Sequence, residues 1–272
     1  LVELQCSDGV AAEFKQRDEV GRTSLQVARL QSLNANVVSG DFWGLAPERN
    51  GPGVIESVHL SQGSDPLTSL GGGERGAASA GAEAPAQKLR HLRIEFSRGL
   101  KGNLHRRQAE VFGNVRTLYG PVDSWEQRLS MDLGEEPGLH TVWIESEQQS
   151  VRESPFAVAA MAARGDKRRL GPIELRATGQ VVIEGRHPER GLFTALGERA
   201  TFDQLKSMFV LEGDARRPAS VTHQQFVGAP PSESTYRKLI YWQKTGRVEA
   251  IGAAVKYSDF ETGSGARPAP PR

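Results

Sequence analysis

The stretch that decides the fold is residues 173–213, which read IELRATGQVVIEGRHPERGLFTALGERATFDQLKSMFVLEG. In its first part Leu175, Ala177, Gly179, Val181 and Ile183 alternate with mostly polar residues, and this period of two is typical of a half-buried strand. Turn-forming residues then divide the stretch at 185–191, 197–198, 204–207 and 213–214. Three further short strands are predicted between them, over residues 192–196, 200–203 and 208–211. The stretch therefore predicts an antiparallel β meander.

A short pattern, glycine followed by a polar or acidic residue in a strand context, recurs along the chain. It occurs at Gly113-Asn114, Gly179-Gln180 and Gly213-Asp214, and residues 34–40 are a degenerate copy. The intervals between the glycines are 66 residues (179 − 113) and 34 residues (213 − 179). Such spacing is typical of stacked supersecondary units that bury their apolar faces only against neighbours. Coincidence is the alternative, because the chain contains 30 glycines.

The bulk composition narrows the class of protein. The 272 residues include 34 Lys and Arg against 33 Asp and Glu, and this balance argues against a dedicated nucleic-acid binder, which needs a basic excess. No apolar run approaches the roughly eighteen residues of a membrane-spanning helix. Cys6 is the only cysteine, so no internal disulfide is expected. The chain begins with leucine and without a leader, so we expect a mature form or an excised piece.

Composition also divides the chain into regions. Residues 62–87 are rich in Gly, Ala, Ser and Pro, and they predict a flexible insertion because they bury too little apolar surface to offset their chain entropy. The insertion separates an N-terminal β repeat over 1–61 from a larger β region over 88–260, and a disordered tail covers 261–272. Residues 71–76 fit the pattern G-x-G-x-x-G, but the strand and helix that must flank a dinucleotide site are not predicted there.

Alternation predicts further strands elsewhere in the chain, over residues 13–15, 24–33, 53–60, 88–96, 108–119, 123–133, 139–146, 219–226, 238–242 and 248–257. For 24–33 a helix is the alternative, and a strand is favoured because the run lacks a helix cap. Residues 41–44 predict a turn. Residues 155–163 predict either a helix or a short strand, and residues 164–169 predict a charged hairpin loop.

Catalytic chemistry finds little support in the sequence. No H-E-x-x-H pattern is present, and the single cysteine offers no second thiolate for a metal site. The histidines are scattered along the chain, at His59, His91, His105, His140, His187 and His223. The G-S-G at residues 263–265 lacks the rest of a nucleophile elbow. We therefore expect a non-enzymatic protein without a metal or cofactor.

A spaced pattern of small and apolar residues carries a family resemblance. The pattern reads Leu175-x-Ala177-x-Gly179-x-Val181-x-Ile183-x-Gly185, then Phe193-x-Ala195-x-Gly197-x-x-Ala200-x-Phe202-Asp203, then Leu211-x-Gly213. It resembles the OstA-like (LptA) family of lipopolysaccharide-transport proteins, which includes a soluble periplasmic bridge protein and the N-terminal domain of the outer-membrane lipopolysaccharide assembly protein. The resemblance is sharpest over 173–214 and extends, thinned, from Gly113 to Tyr257. Residues 1–70 fit it loosely, and the 62–87 insertion departs from it.

The resemblance implies an all-β fold, a twisted β-jellyroll built from repeated antiparallel meander units. Members of the family are V-shaped in section, and residues 88–260 would form such a jellyroll around an apolar groove for acyl chains. The side chains that would face the groove are Val111, Val115, Leu175, Ala177, Val181, Ile183, Phe193, Ala195, Ala200, Phe202, Phe209 and Leu211. Small residues such as Ala177 would leave room between the sheets, and a packed β-sandwich core of the same residues is the alternative.

The resemblance also implies partners and a compartment. Lipopolysaccharide or a related amphiphilic lipid would be the ligand, and other jellyroll modules would add to the open sheet edges. The location would be the periplasm or the outer membrane of a Gram-negative-type envelope, and other components would drive the transfer. The one basic cluster is a candidate contact for lipid phosphates, with a solvated loop as the alternative, and it comprises Arg90, Arg93, Arg98, Lys101, Arg106 and Arg107. The competing function is a structural β-solenoid or jellyroll adhesion module with a packed core and no ligand.

Overall fold

The computed structural model describes residues 2–17, 23–49, 51–60, 89–131, 141–154, 173–187, 191–224, 226, 229–242, 245, 247–252 and 254–256. These residues form strands and turns and no helix. The strands are β1 (Glu3–Cys6), β2 (Val10–Arg17), β3 (Thr23–Leu30), β4 (Ser32–Asn36), β5 (Asp41–Leu45), β6 (Gly53–Leu60), β7 (Leu89–Phe96), β8 (Gly99–Asn103), β9 (Gln108–Val122), β10 (Val142–Glu153), β11 (Ile173–His187), β12 (Gly191–Asp203), β13 (Met208–Glu212), β14 (Ala219–Gln224), β15 (Ser232–Tyr236), β16 (Lys238–Trp242), β17 (Arg247–Ile251) and β18 (Ala254–Lys256).

All strand pairs are antiparallel, and the chain runs back and forth as one continuous meander. In the described residues it makes eleven passes, and each pass pairs with the pass before it and the pass after it. Every pass crosses two half-sheets. Half-sheet A contains, in spatial order, β2, β3, β6, β7, β9, β10, β11, β12, β14, β15 and β18. Half-sheet B contains β1, β4, β5, β8, β9, β10, β11, β12, β13, β16 and β17.

The two half-sheets meet along a crease where every pass is irregular. The long strands β9 to β12 cross the crease through bulges, seen as shifts of register at Gln148 and between Thr178 and Val181. The shorter passes are interrupted at the same level, and backbone hydrogen bonds link these interruptions, from Gly9 to Gln31, from Ala46 to Arg98 and from Ser97 to Gly113. Since a bulge bends a strand and increases its twist, a line of them folds the whole sheet.

The glycine repeat found in the sequence marks this crease. Gly113 and Asn114 have φ of 90° and 44°, and Gly179 and Gln180 have φ of 79° and 49°. A Cβ atom at position 113 would lie 2.8 Å from the backbone nitrogen of Arg98, so the position also lacks room for a side chain. Glycine tolerates this left-handed region at no steric cost. The third copy differs, because Gly213-Asp214 begins the loop between β13 and β14.

The apolar residues face one another across the bend. One buried cluster joins residues of half-sheet A, such as Val181 and Ile183, to residues of half-sheet B, such as Ala200 and Leu211. A second cluster does the same nearer the N-terminus, with Phe96 of half-sheet A and Leu100 of half-sheet B. The inner faces of the two half-sheets therefore form the core, and the predicted all-β architecture of antiparallel meander units is confirmed.

Three turns at the margin of half-sheet B, the side farthest from the crease, share one geometry. They follow β4, β8 and β12, and each begins with a side chain that accepts backbone hydrogen bonds within the turn: Asn36 from Val38 and Ser39, Asn103 from Arg106, and Asp203 from Lys206. Their fourth loop residue has a positive φ, 77° at Gly40, 48° at Arg107 and 48° at Ser207. Because the geometry is the same, the three loop tips project in the same way from this margin.

On the outer face of half-sheet A, residues 123–131 form a cover over the sheet. Leu129 and Met131 of this segment pack against Leu118 and Trp143. The Leu129 backbone nitrogen donates a hydrogen bond of 3.2 Å to Nδ1 of His91, which is fully buried. Beside this cover Arg93 pairs with Glu56 and Glu95, and Arg116 pairs with Glu95 at 2.7 Å. The polar network and the covering segment thus occupy neighbouring parts of the outer face.

Most strands predicted from alternation are present. The run 53–60 coincides with β6, and residues 24–33 are strands β3 and β4 rather than a helix. Residues 88–96, 108–119 and 139–146 correspond to β7, β9 and the first part of β10. The predicted insertion at 62–87, the helix or strand at 155–163, the hairpin loop at 164–169 and the tail from 261 lie outside the described residues.

Three predictions about elements were wrong, and one strand was missed. Residues 192–196 and 200–203 are not two strands but the single strand β12, because Gly197 pairs with Val181, Arg199 pairs with Thr178, and the strand continues past Glu198 through a bulge. Residues 41–44 are not a turn but most of β5. Residues 123–131 form no strand, since local hydrogen bonds such as that from Asp123 to the Gln127 side chain replace strand pairing. Strand β15 was not predicted.

Candidate functional site

The inner face of half-sheet B carries a continuous apolar row that crosses the whole half-sheet. The row contains one residue from each pass, paired with its neighbours by the strand register: Leu4, Ala35, Phe42, Gly102, Ala109, Val151, Leu175, Phe202, Phe209, Tyr241 and Val248. Adjacent strands lie about 4.8 Å apart, so ten intervals give the row a length of roughly 48 Å. No charged residue interrupts it. We call it the apolar row.

Most of the apolar row is neither sealed nor fully exposed. Phe202 and Phe209 are buried, at 4% and 7% exposure. Phe42, Val151, Leu175 and others between them are half-buried. The two ends of the row, Leu4 and Val248, are 44% and 58% exposed on the outermost strands. Much of the row therefore keeps partial exposure to solvent.

The inner face of half-sheet A changes character with distance from the crease. Near the crease it is apolar, with Ile55 opposite Ile94 and Ile183 opposite Ala195. Toward its margin the same face becomes polar, because His59 lies opposite Arg90 and packs against Tyr119 with ring centroids 6.2 Å apart. Burial, together with the nearby Arg90 guanidinium, lowers the pKa of His59. The two inner faces therefore differ toward their margins: half-sheet B carries the apolar row, and half-sheet A carries His59 and Arg90.

This arrangement suits a molecule with an apolar body and a polar end. Apolar chains would gain free energy by leaving water for the apolar row, at about 25 cal/mol for each Å² of apolar surface buried. A charged or hydroxylated end would keep polar neighbours at the rim of half-sheet A, where burial without hydrogen bonds would be costly. An apolar surface of this kind is suited to shield apolar chains from water.

The structure places all twelve predicted groove residues on the inner faces. Val111 and Val115 belong to the N-terminal cluster, and the other ten belong to or pack against the larger cluster. Ten of the twelve are buried, with exposures from 0% to 7%, and Leu175 and Phe193 are half-buried. Most of the predicted set therefore lies at the base of the bend, and the more accessible part of the face is the apolar row.

The structure does not bring the predicted phosphate contacts together. Arg93 lies on the outer face of half-sheet A in the network with Glu56 and Glu95. Arg98 is exposed at the crease. Lys101 lies 3.3 Å from Glu110, with its ammonium 5.9 Å from the centre of the Phe112 ring. Arg106 and Arg107 occupy a margin turn, where Arg107 pairs with Glu153 at 3.1 Å. Arg90 is the member of this cluster that lies on an inner face.

Most inward-facing residues of the N-terminal strands were not predicted from the sequence. Val10, Leu30, Phe42, Ile94 and Leu100 line the second cluster. The alternation in residues 53–60 and 88–96 indicates which side chains of these two strands face inward. The family resemblance is weakest there, however, and the aspartate and glycine around Phe42 favoured a turn.

Other kinds of site find no support among the described residues. Within them no three His, Cys, Asp or Glu side chains are grouped as metal ligands would be. None of them forms a helix that is long and apolar enough to span a membrane.

The comparisons with known proteins give a weak likeness to a solved structure and no match by sequence. No family model matches the chain, and no curated protein matches it by sequence. Among solved structures it is similar to LptH of Pseudomonas aeruginosa, described as the LptA-homologous periplasmic component of the lipopolysaccharide transport device. The identity is 12%, the TM-score is 0.37, and the match covers 66% of this chain and 90% of that chain. A likeness at this level of identity and TM-score carries no argument about function.

Proposed function

We propose that this chain is a non-enzymatic lipopolysaccharide-transport module of the OstA-like kind. It shields lipid acyl chains between its two half-sheets and passes them across the periplasm. The acyl chains lie along the apolar row, and the polar rim of half-sheet A faces the head group. The single observation that carries the proposal is the apolar row itself, which crosses eleven strands without a charge.

A row that runs across the strands suits transfer better than storage. The row ends on the outermost strands, β1 and β17, so the face is open at both ends of the sheet in the described residues. An outermost strand has unpaired backbone groups that another strand can use. Other jellyroll modules would add there by edge pairing and extend the row from one module to the next. Movement of the lipid would be driven by other components of the transport system.

The setting of this activity is the space between two membranes. The proposed location is the periplasm or the outer membrane of a Gram-negative-type envelope, where an acylated lipid must cross water. Shielding is the physical requirement, because exposing acyl chains to water costs about 0.8 kcal/mol for each methylene group.

A second function is favoured by the burial of the crease residues. Side chains such as Val115, Val181 and Leu211 have exposures of 0% or 1%. This packing also suits a structural jellyroll module with a filled core and no ligand. The two functions differ at the apolar row. In a carrier the half-buried side chains of Leu175 and Phe42 contact a bound lipid, whereas in a structural module they contact no ligand.

Site-specific photo-crosslinking distinguishes the two functions. A photoreactive amino acid at Leu175, which is half-buried on the inner face, is expected to crosslink to lipopolysaccharide in living cells or in purified mixtures. The same probe at Arg176, the next residue, points outward and is exposed, and it should give little lipid adduct. Equal labelling at the two positions, or no lipid adduct at Leu175, would favour the structural module.

A further inference from the structure

We propose that the margin of half-sheet B is a membrane-contacting edge, which inserts aliphatic turn tips into an anionic lipid surface. This contact goes beyond the groove, because it concerns where the molecule sits and not what it carries. The contacting set, here called the margin tips, comprises Val37, Val38, Leu104 and Leu205.

The margin tips stand at equivalent places in equivalent turns. Val37 and Leu104 are the first loop residues of their turns, and Val38 and Leu205 are the second. All are highly exposed for aliphatic side chains, at 54% for Val37, 70% for Val38, 63% for Leu104 and 43% for Leu205. The first two turns also touch, since the Leu104 nitrogen donates to the Gly40 oxygen at 2.8 Å. The tips therefore form a common edge.

Exposed apolar residues are concentrated on this side of the molecule. Twelve large apolar side chains are exposed in the described residues, and only Leu196 and Phe226 belong to half-sheet A or its turns. The other ten lie on half-sheet B, on its turns or just before β1, and are Val2, Leu4, Val37, Val38, Trp43, Leu45, Leu104, Leu205, Val248 and Ile251. Four of these ten, the margin tips, stand on turns of one margin, and a group of exposed apolar residues at one edge is typical of an interaction site.

The charges at the margin favour a lipid surface as the occupant. The third loop residue is a cation in two of the turns, Arg106 beside Leu104 and Lys206 beside Leu205. Asp203 pairs with Lys206 at 3.0 Å, so the charge of this lysine is balanced within its turn and Arg106 is the cation on which the attraction depends. Asp41 accepts a hydrogen bond from the Asn103 amide at 2.6 Å. Aliphatic tips with basic neighbours are the composition that binds at the interface of an anionic bilayer.

The margin tips lie close to the apolar row, so a membrane contact at this edge would bring the row near the lipid. The apolar row lies one strand position inward from these turns, as Ala35 precedes Asn36 and Phe202 precedes Asp203. An edge that rests on a bilayer would place the apolar row beside the lipid, without a wide aqueous gap between them. The proposed contact does not require the groove to hold lipid, and it can be tested separately.

Flotation of the full chain with vesicles tests this contact. The wild type is expected to float with phosphatidylcholine vesicles that contain phosphatidylglycerol, and to bind pure phosphatidylcholine less well. The triple variant Val38→Ser, Leu104→Ser and Leu205→Ser should lower the partition coefficient at least about tenfold. Arg106→Gln should lower it roughly fivefold for the anionic vesicles alone, and added salt should have the same effect.

A matched control uses apolar residues that are equally exposed on the other half. The double variant Leu196→Ser and Phe226→Ser removes side chains with 42% and 65% exposure from half-sheet A and its turns, and it should bind vesicles as the wild type does. A groove variant that adds no charge, Phe42→Ala, should also keep vesicle binding, so that failure of the groove and failure of the edge are told apart.

Three results would overturn the proposal. The first is a wild type that does not float, and the second is a triple variant that floats as well as the wild type. The third is a triple variant that changes the oligomeric state of the lipid-free chain, because the margin would then be a contact between protein molecules.

Discussion

Replacing Phe42 with glutamate should abolish binding of lipopolysaccharide, whereas replacing its neighbour Trp43 with glutamate should not. Phe42 points inward from β5 and packs against the N-terminal cluster, in the middle of the first half of the apolar row. Trp43 points outward and is 50% exposed. A carboxylate in the apolar row must either lose its hydration or keep water where the acyl chains lie. We expect an affinity at least about tenfold lower, which corresponds to about 1.4 kcal/mol.

Titration of each purified variant with a fluorescent lipopolysaccharide measures this effect. Both substitutions introduce the same charge on the same strand. A difference in affinity between them therefore shows which face of the sheet binds the lipid. Thermal unfolding of each variant shows whether the fold is retained, and Phe42→Ala provides a milder change if the glutamate prevents folding. A Trp43→Glu variant that loses as much affinity as Phe42→Glu would argue against an inner binding face.

Acidification should destabilise the fold through His91. This side chain is fully buried between β6 and β9, opposite Val58 and Gly120, under the 123–131 segment. Burial lowers the pKa of His91 to about 4 from the ordinary histidine value of 6.5. The nearby Glu56 carboxylate opposes this change, and the Arg128 and Arg93 guanidinium groups add to it. Between pH 6.5 and pH 4 the imidazole of His91 is protonated in the unfolded chain and neutral in the folded chain. The free energy of unfolding should therefore fall by about 2 to 3 kcal/mol as pH drops from 7.5 to 4.5.

The variant His91→Asn isolates this contribution. Asparagine offers an oxygen to the Leu129 nitrogen and does not titrate, so the variant should lose most of the pH dependence while lowering stability at neutral pH. Val58→Ala serves as the control, because it removes buried volume beside His91 without a titrating group. Denaturant unfolding across this pH range measures all three chains. If wild type and His91→Asn lose stability in parallel on acidification, His91 is not the source.

Much of the inner face was predictable from the sequence because strand periodicity is local. The odd positions of β11, such as Leu175 and Ile183, face inward as their alternation predicts. In β12 the inward positions change from odd to even between Ala195 and Ala200, and this was also anticipated. The sequence pattern predicts a turn at this change from odd to even positions, whereas in the structure the strand continues through a bulge at the crease. A bulge and a turn shift the alternation alike, so the sequence did not distinguish them.

Other features depend on contacts between distant residues and carry no local signal. Residues 123–131 alternate like a strand, but Leu129 and Met131 are held by Leu118 and Trp143 from other segments. The apolar row combines one residue from each of eleven passes, so it exists only once the register of every pair is fixed. The basic residues between Arg93 and Arg107 are close in sequence, yet the bend and the margin turn separate them.

The most direct test of the central claim is native mass spectrometry of the full chain after incubation with lipopolysaccharide. We expect a second population that is heavier than the bare chain by the mass of the lipid. This population should be absent for Phe42→Glu and present for Trp43→Glu. A spectrum that contains only the bare chain, under conditions where a known lipid carrier keeps its ligand, would contradict it.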